Sequence, residues 1–146
     1  MRFPALVALP VLLLAIAAPV FAQEEEVVAQ IESIHGDYEG FSELYAGIQD
    51  AFLFGDPAGI AEWGAYPFEV AANGELYDIF APEDLVGNFD ALVMPETVEA
   101  LSSQDFADLI VTSEGVGFAD GALWVSRICT DDSCDDAYWG ITRINN

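Results

Sequence analysis

Apolar residues in the middle of this chain recur at steps of three and four, which is the spacing of a helix that buries one face. The pattern predicts a helix from Asp37 to Phe54, with inward positions at Phe41, Leu44, Tyr45, Ile48 and Phe52. Gly55 is expected to end this helix. Asp56-Pro57 then begins a shorter helix that runs to Trp63, because Asp is a favoured N-cap and Pro fits the first turn.

The pattern changes to that of strands after this second helix. A strand is predicted at Ala65–Ala71, where Pro67 indicates a sheet edge or a bulge because it cannot donate a ladder hydrogen bond. Asn73-Gly74 predicts a tight hairpin, because both central residues of a type I′ turn need positive φ. Glu75–Phe80 is then the returning strand.

Two further helices and three or four strands complete the chain. The helices are predicted at Pro82–Leu92 and Pro95–Ser103. The strands are predicted at Leu109–Thr112, Gly115–Ala119, Leu123–Cys129 and Ala137–Ile144, with a turn at Asp120-Gly121. Helices followed by a run of strands predict an α+β fold, in which N-terminal helices pack on one face of a curved antiparallel sheet.

The N-terminus carries the features of a secretory signal peptide. Arg2 gives a positive start, and Val11–Ala18 is an unbroken apolar run that small residues follow. Cleavage is expected between Ala22 and Gln23, which leaves residues 23–146 as one domain in the periplasm or the exterior. The alternative is an uncleaved anchor, since the apolar stretch is about long enough to cross a bilayer. Prolines interrupt that stretch, however, and no Lys/Arg cluster follows it.

The charge of the chain is strongly negative. It holds 26 acidic residues, three arginines and no lysine, for a net charge of −23 that becomes −24 once Arg2 is removed. Such a surface repels phosphate backbones and anionic lipids, so nucleic acid and, after cleavage, the membrane are disfavoured as partners. Because 53% of the residues are hydrophobic, the chain is expected to fold. Gln23–Glu26 is expected to be a mobile acidic lead-in.

Cys129 and Cys134 flank the bend between the last two predicted strands. An even pair in an exported protein is most simply a disulfide. A redox role is disfavoured, because the spacing is longer than Cys-X-X-Cys and neighbouring acids raise a thiol pKa.

Four carboxylates crowd the same loop and form a candidate calcium site: Asp131, Asp132, Asp135 and Asp136. Ca²⁺ takes six to eight oxygen ligands, but this run lacks the ligand spacing and central glycine of an EF-hand. The alternative is a solvated hairpin tip that keeps strand edges from aggregating.

Other catalytic signals are weak. His35 is the only histidine, so the usual zinc ligand sets are absent and a surface or capping role is preferred. The sequence has no nucleophile elbow, phosphate-binding loop or dinucleotide glycine pattern, and no cofactor is expected.

The order of elements resembles the NTF2-like superfamily, a cone-shaped α+β fold. The segments that carry the resemblance are Phe41–Phe54, Asp56-Pro57, Tyr66-Pro67-Phe68, Glu114–Phe118 and Gly121–Trp124. Family members enclose a pocket between the long helix and the concave face of the sheet, so the resemblance implies a ligand pocket here.

The candidates for lining that pocket are Tyr45, Tyr66, Arg127 and Arg143. Tyr45 faces inward by helical spacing. If the last two strands pair, Arg127 and Arg143 are expected to share a sheet face. They would then either form ion pairs or anchor an anionic ligand group.

Three functions follow from these features. The preferred one is an exported domain that binds a small molecule or a cationic protein without catalysis. The first alternative is an isomerase or hydratase that uses a carboxylate–tyrosine pair, as the steroid-isomerase branch of the resembled family does. The second is an interaction or inhibitor module for a basic extracellular protein. A filled core with no cavity would favour the interaction module. The sequence does not fix the oligomeric state, and a homodimer is one candidate.

Overall fold

A computed structural model describes residues 20–146 of the chain. Its helices are α1 (Val20–His35), α2 (Tyr38–Phe54), α3 (Pro57–Glu62), α4 (Pro82–Gly87), α5 (Phe89–Leu92) and α6 (Pro95–Ser102). Its strands are β1 (Gly64–Ala72), β2 (Glu75–Ile79), β3 (Ile110–Val111), β4 (Val116–Phe118), β5 (Leu123–Cys129) and β6 (Ala137–Asn145). The predicted signal peptide lies outside the described residues except for its last three, which begin α1.

Helix α1 was not predicted, and it runs through the segment expected to be a mobile lead-in. Val27 and Ile31 lie one helical turn apart and are both buried. Their burial holds the helix against the body of the domain, although three consecutive glutamates precede them and the helix has no wide apolar stripe. Gly36 then ends the helix with a φ of 72°.

The next two helices are both capped by an aspartate, of which Asp56 was predicted as a cap and Asp37 was not. Asp37 begins α2 and its side chain accepts a hydrogen bond from the Gly40 amide at 3.0 Å. Gly55 ends the same helix in the left-handed conformation, which glycine adopts without a steric penalty. Asp56 caps α3 in the same manner by accepting from the Ala58 amide.

The strands form one six-stranded sheet in the order β2-β1-β6-β5-β4-β3. The predicted α+β fold is confirmed, with the helices packed on one face of a curved, open sheet. The sheet is mixed and not wholly antiparallel, because β6 returns beside β1 in the same direction while every other pair is antiparallel. Local sequence patterns contain no signal for a pairing between the first and the last strand.

The remaining comparisons between predicted and observed elements concern turns, bends and breaks in the chain. Asn73 and Gly74 both have positive φ, which confirms the hairpin, and Asp120 and Gly121 likewise turn the chain between β4 and β5. Pro67 marks a bulge and not an edge, because β1 lies between two strands and its register with β6 shifts around the proline. The helix predicted at Pro82–Leu92 is divided into α4 and α5 at Asn88.

The core lies between the helices and the sheet. Its largest fully buried side chains are Phe41, Phe52, Phe118, Ile31, Leu44, Ile48, Ile60, Leu85, Leu101, Leu123, Ile141 and Ile144. Thr97 is the one buried polar residue in the described part of the chain. Across residues 20–146, no helix has the length and apolarity needed to span a membrane.

Candidate functional site

Aromatic side chains fill the space where the resembled family has its pocket. Phe41 of α2 lies 5.2 Å from the Trp139 ring and 6.2 Å from the Phe118 ring, measured between centroids. Tyr45, one turn further along, stacks on Phe118 at 5.8 Å. The best-formed clefts of the described residues are all open to solvent, and none is lined by a residue of α2.

Tyr45 therefore belongs to this packed interior. Its hydroxyl donates to the backbone carbonyl of Gln104 at 3.2 Å. Burial, and then the negative charges of Asp105 and Glu24, raise the pKa of Tyr45 above that of a free phenol. A half-buried tyrosine whose hydroxyl is bonded to the backbone has the geometry of a packing residue.

Tyr66 lies elsewhere, at the start of the sheet. Its ring packs on Phe68 and its hydroxyl donates to the Ala61 carbonyl at 2.6 Å. Burial, followed by the charges of Glu83 and Asp84, raises the pKa of this phenol as well.

The two arginines lie on opposite faces of the sheet, which corrects the expectation that they share one. Arg143 pairs across the strands with Trp124, and Arg127 lies three residues after Trp124 on β5. An odd separation along a strand reverses the side-chain direction. Arg143 therefore faces outward, where its Nη2 lies 2.9 Å from Oε2 of Glu69.

Arg127 faces the helices. Its Nε lies 3.9 Å from Oδ2 of Asp37 and has no hydrogen-bond partner among the described residues. No hydrogen bond, ion pair or aromatic contact in the described part joins any two of the four predicted pocket residues.

His35 is the last residue of α1 and makes contacts that support the fold. Its Nε2 lies 2.9 Å from the Thr112 carbonyl oxygen, so this nitrogen carries the proton in that contact. The imidazole also packs edge-on against Trp139 at 5.1 Å. These contacts join the first helix to the sheet.

The disulfide is present, since Cys129 is bonded to Cys134 with their Cα atoms 4.8 Å apart. Within the loop, Asp131 organises the backbone. Its carboxylate accepts from the Ser133 hydroxyl and from the amides of Asp135 and Asp136. Desolvation raises the pKa of Asp131, but the hydrogen bonds outweigh it and the net pKa is lowered.

Two other acidic side chains of the same loop also form hydrogen bonds within it. The Asp136 carboxylate accepts from Thr130, and Asp135 accepts from Ser133, so these oxygens are bonded within the loop. No group of three or more His, Cys, Asp or Glu side chains converges on a metal-sized position among residues 20–146.

A solvent-open cleft that was not predicted from the sequence lies beside strand β2. It has a volume of about 390 Å³ and separates β2 from the segment that carries α4 and α5. We call it the β2 cleft. Its lining consists of Asn73, Tyr77, Asp78, Ile79, Phe80, Asp84, Asn88, Ala91 and Leu92.

The register between β1 and β2 determines which side chains form the apolar wall of the β2 cleft. Tyr77 pairs with Val70 and Ile79 pairs with Phe68. Because Val70 and Phe68 are buried under the helices, Tyr77 and Ile79 also direct their side chains to that face. Phe80 follows directly and is 68% exposed.

Acidic groups form the rim of the β2 cleft. Asp84 accepts from the amides of Phe80 and Ala81 at 3.2 and 3.1 Å, which fixes its carboxylate at the turn from β2 into α4. Tyr77 donates to Glu75 at 2.9 Å. This hydrogen bond, together with the charge of Glu75, raises the pKa of Tyr77.

The sequence did contain a partial signal for this surface. The segment from Glu75 to Phe80 holds two acids and four large apolar residues, which is more apolar residues than one buried strand face requires. What the sequence does not show is that β2 is an edge strand, because that follows from the position of β6 on the other side of β1.

Comparison with known proteins identified no relative of this chain. No family model, no curated protein and no solved structure shows significant similarity to the chain. The site is therefore interpreted from its own geometry and charge.

Proposed function

We propose that the protein is an exported, non-catalytic binding domain whose partner is a basic protein. The observation that carries this proposal is the distribution of charge. All 26 acidic residues are at least partly exposed, and each of the two arginines in residues 20–146 lies within 4 Å of a carboxylate. A surface with this excess of acids attracts cationic partners and repels anionic ones.

The filled interior supports recognition at the surface. A small-molecule binding protein needs a concave, largely preformed pocket. We infer a fold of the NTF2-like type from the order of elements, but the space between α2 and the sheet is occupied by Phe41, Tyr45, Phe118 and Trp139. Binding is accordingly assigned to the exterior of the domain.

The geometry gives little support to the isomerase alternative. Its reaction needs a carboxylate and a tyrosine in one desolvated pocket. The carboxylate–tyrosine hydrogen bond of the described residues joins Glu75 to Tyr77 on the exposed edge of the sheet, where water reaches both groups.

Two features support export. The N-terminus has the pattern of a signal peptide, and Cys129 and Cys134 form a disulfide, a bond that persists in oxidising compartments. The test of export is the intact mass of the protein recovered from the periplasm or medium of a bacterial host. We expect a chain that begins at Gln23 and is lighter by two hydrogens. A full-length chain in the cytoplasmic fraction would contradict export.

Partner recognition is tested by isothermal titration calorimetry at about 0.15 M salt, where charges more than about 8 Å apart are largely screened. The probes are a folded lysine-rich protein and an acidic protein of similar size. We expect saturable binding of the basic probe that weakens as salt is raised, and no binding of the acidic one.

Poly-glutamate of the same net charge as the domain serves as the control for nonspecific attraction between opposite charges. If poly-glutamate binds the basic probe as tightly as the folded protein does, charge alone explains the association. That result would contradict the proposal, and so would the absence of binding to every cationic probe.

A further inference from the structure

We propose that the β2 cleft binds an extended peptide segment that bears lysine or arginine, and that this segment adds to the free edge of β2 as a further strand. The inference rests on the proposed function for the basic character of the partner. It adds the site on the domain, the conformation of the ligand and the residues that select it.

The edge of β2 is free to accept a strand. Among the described residues, strand β2 lies at one end of the sheet and pairs only with β1, through the five residue pairs from Glu75 to Ile79. Within residues 20–146, no backbone group of these five residues bonds to anything outside that pairing. The outward N–H and C=O groups are therefore available, as in domains that bind peptides by strand addition.

The opposite edge of the sheet is a poorer template. Strand β3 contains only Ile110 and Val111, and it makes two residue pairs with β4. An added strand there would gain few backbone hydrogen bonds. The two ends of the sheet are thus unequal, and the longer free edge is the one beside a cleft.

The β2 cleft is placed to receive side chains from an added strand. Every second residue of such a strand points to the helix-facing side, where Tyr77, Ile79 and Leu92 form an apolar wall. Lysine and arginine have long hydrocarbon stems that pack on apolar surfaces while the charged end stays in water. A volume of about 390 Å³ is sufficient for one such side chain.

Two groups at the rim fit the charged end of that side chain. The carboxylate of Asp84 is held at the turn by two backbone amides. Phe80 also lines the cleft and is 68% exposed, and aromatic faces attract lysine and arginine cations. A cation in the cleft would meet both groups.

The charges of the strand select against a second copy of the same chain. Glu75 and Asp78 are exposed on β2, and two β2 strands placed edge to edge would bring these carboxylates together. Like charges on neighbouring strands are destabilising, whereas opposite charges are favourable. The edge is thereby protected from self-association but open to a basic strand.

The test titrates the protein with a seven-residue peptide of alternating lysine and valine, followed by fluorescence anisotropy and by ¹⁵N chemical shifts. An acidic peptide of alternating glutamate and valine is the charge control. A lysine–valine peptide that is N-methylated at every backbone amide keeps the charge and removes the backbone donors from both of its strand edges. We expect the plain basic peptide to bind and to shift the amides of Glu75–Ile79 most strongly.

Matched variants locate the site. Asp78→Lys changes the charge of the edge strand β2 by two units, and Glu43→Lys makes the same change on an exposed position of α2. We expect Asp78→Lys to weaken binding by about tenfold or more and Glu43→Lys by about twofold, because nearby charges act strongly and distant ones are screened. Phe80→Ala is expected to weaken binding by about threefold through loss of the cation–π contact.

The outcomes separate this inference from the proposed function. Equal effects of Asp78→Lys and Glu43→Lys, or full binding by the N-methylated peptide, would overturn the β2 site while leaving a basic partner in place. Failure of all cationic probes, folded or peptide, would overturn the proposed function and this inference with it. Binding of the acidic peptide at the β2 edge would overturn the role of charge.

Discussion

Phe41 offers the sharpest test of a filled interior. It is fully buried on α2, and its ring meets those of Tyr45, Phe106, Phe118 and Trp139 at centroid distances from 5.2 to 6.4 Å. Phe41→Ala removes a whole buried ring and leaves a cavity, which costs about 3–5 kcal/mol of unfolding free energy. That is a large share of the roughly 5–15 kcal/mol that stabilises a typical domain.

The same helix supplies a matched control. Phe54 is the last residue of α2 and is 78% exposed, so Phe54→Ala should change the unfolding free energy by no more than about 0.5 kcal/mol. Both substitutions replace phenylalanine by alanine in one helix, so differences in helix propensity largely cancel. The comparison therefore isolates the contribution of burial.

The assay is urea unfolding followed by circular dichroism and tryptophan fluorescence. If Phe41→Ala proves too unstable to fold, Phe41→Leu gives a milder version, with an expected loss of about 1–2 kcal/mol. A second measurement adds benzene to the folded variants, since an apolar cavity binds it and raises the melting temperature. We expect this rise in Phe41→Ala and not in the parent.

A loss for Phe41→Ala no larger than that for Phe54→Ala would refute the packed interior. So would stabilisation of the parent by benzene, because it would reveal an existing pocket between α2 and the sheet.

Two further predictions concern the hairpin tip and one concerns the edge hairpin. Replacing Cys129 and Cys134 together by serine should lower the unfolding free energy by about 2 kcal/mol, the value expected for a loop this short; urea unfolding measures it, and no loss would contradict a structural disulfide. Asp131 has a lowered pKa in the fold, so its stabilising effect is full above the unfolded value of 3.8 and is lost as the pH falls through the folded value. The melting temperatures of the parent and Asp131→Asn should therefore differ near neutral pH and converge in acid, and a constant difference at every pH would contradict this reading. Gly74 has a φ of 78°, so Gly74→Ala should cost about 1 kcal/mol, whereas Gly87→Ala, on α4 with open space at its Cβ position, should cost nothing or stabilise slightly.

Locally encoded features were predicted well from the sequence. The cap at Asp56, the helix end at Gly55 and the turn at Asn73-Gly74 all lie where expected. Each depends on one or two residues whose backbone preference or side-chain oxygen acts within a few positions. The disulfide belongs to the same group, because its two cysteines are separated by a single tight bend.

Features that depend on distant pairings were not predicted. The parallel contact of β1 with β6 joins segments about 70 residues apart, and it decides which strands are edges. The faces of Arg127 and Arg143 depend on the register between β5 and β6, which shifts between Trp124 and Val125. Side-chain direction alternates with a period of two, so counting residues on separate strands cannot fix the shared face.

Helix α1 was missed for a different reason. Among residues 21–35 of this helix, only Val27 and Ile31 are buried hydrophobic residues, and three consecutive glutamates precede them. A helix with so narrow an apolar stripe gives little periodic signal. Its position is fixed instead by tertiary contacts such as the hydrogen bond between His35 and the Thr112 carbonyl.

The contacts of Asp37 show why we assign binding to the surface of the domain and not to its interior. Its side chain caps α2, and its backbone carbonyl accepts a hydrogen bond from Nε1 of Trp139 at 3.1 Å. That bond holds the indole beside Phe41, between α2 and the sheet. Arg127 lies against the same aspartate, so the cap, the indole and the cation meet at one end of the helix. Because these groups fix the position of α2 on the sheet and an aromatic ring fills the gap, a ligand cannot enter there without displacing core side chains. The free edge of β2 and its cleft require no such displacement, which is why we place recognition at that edge.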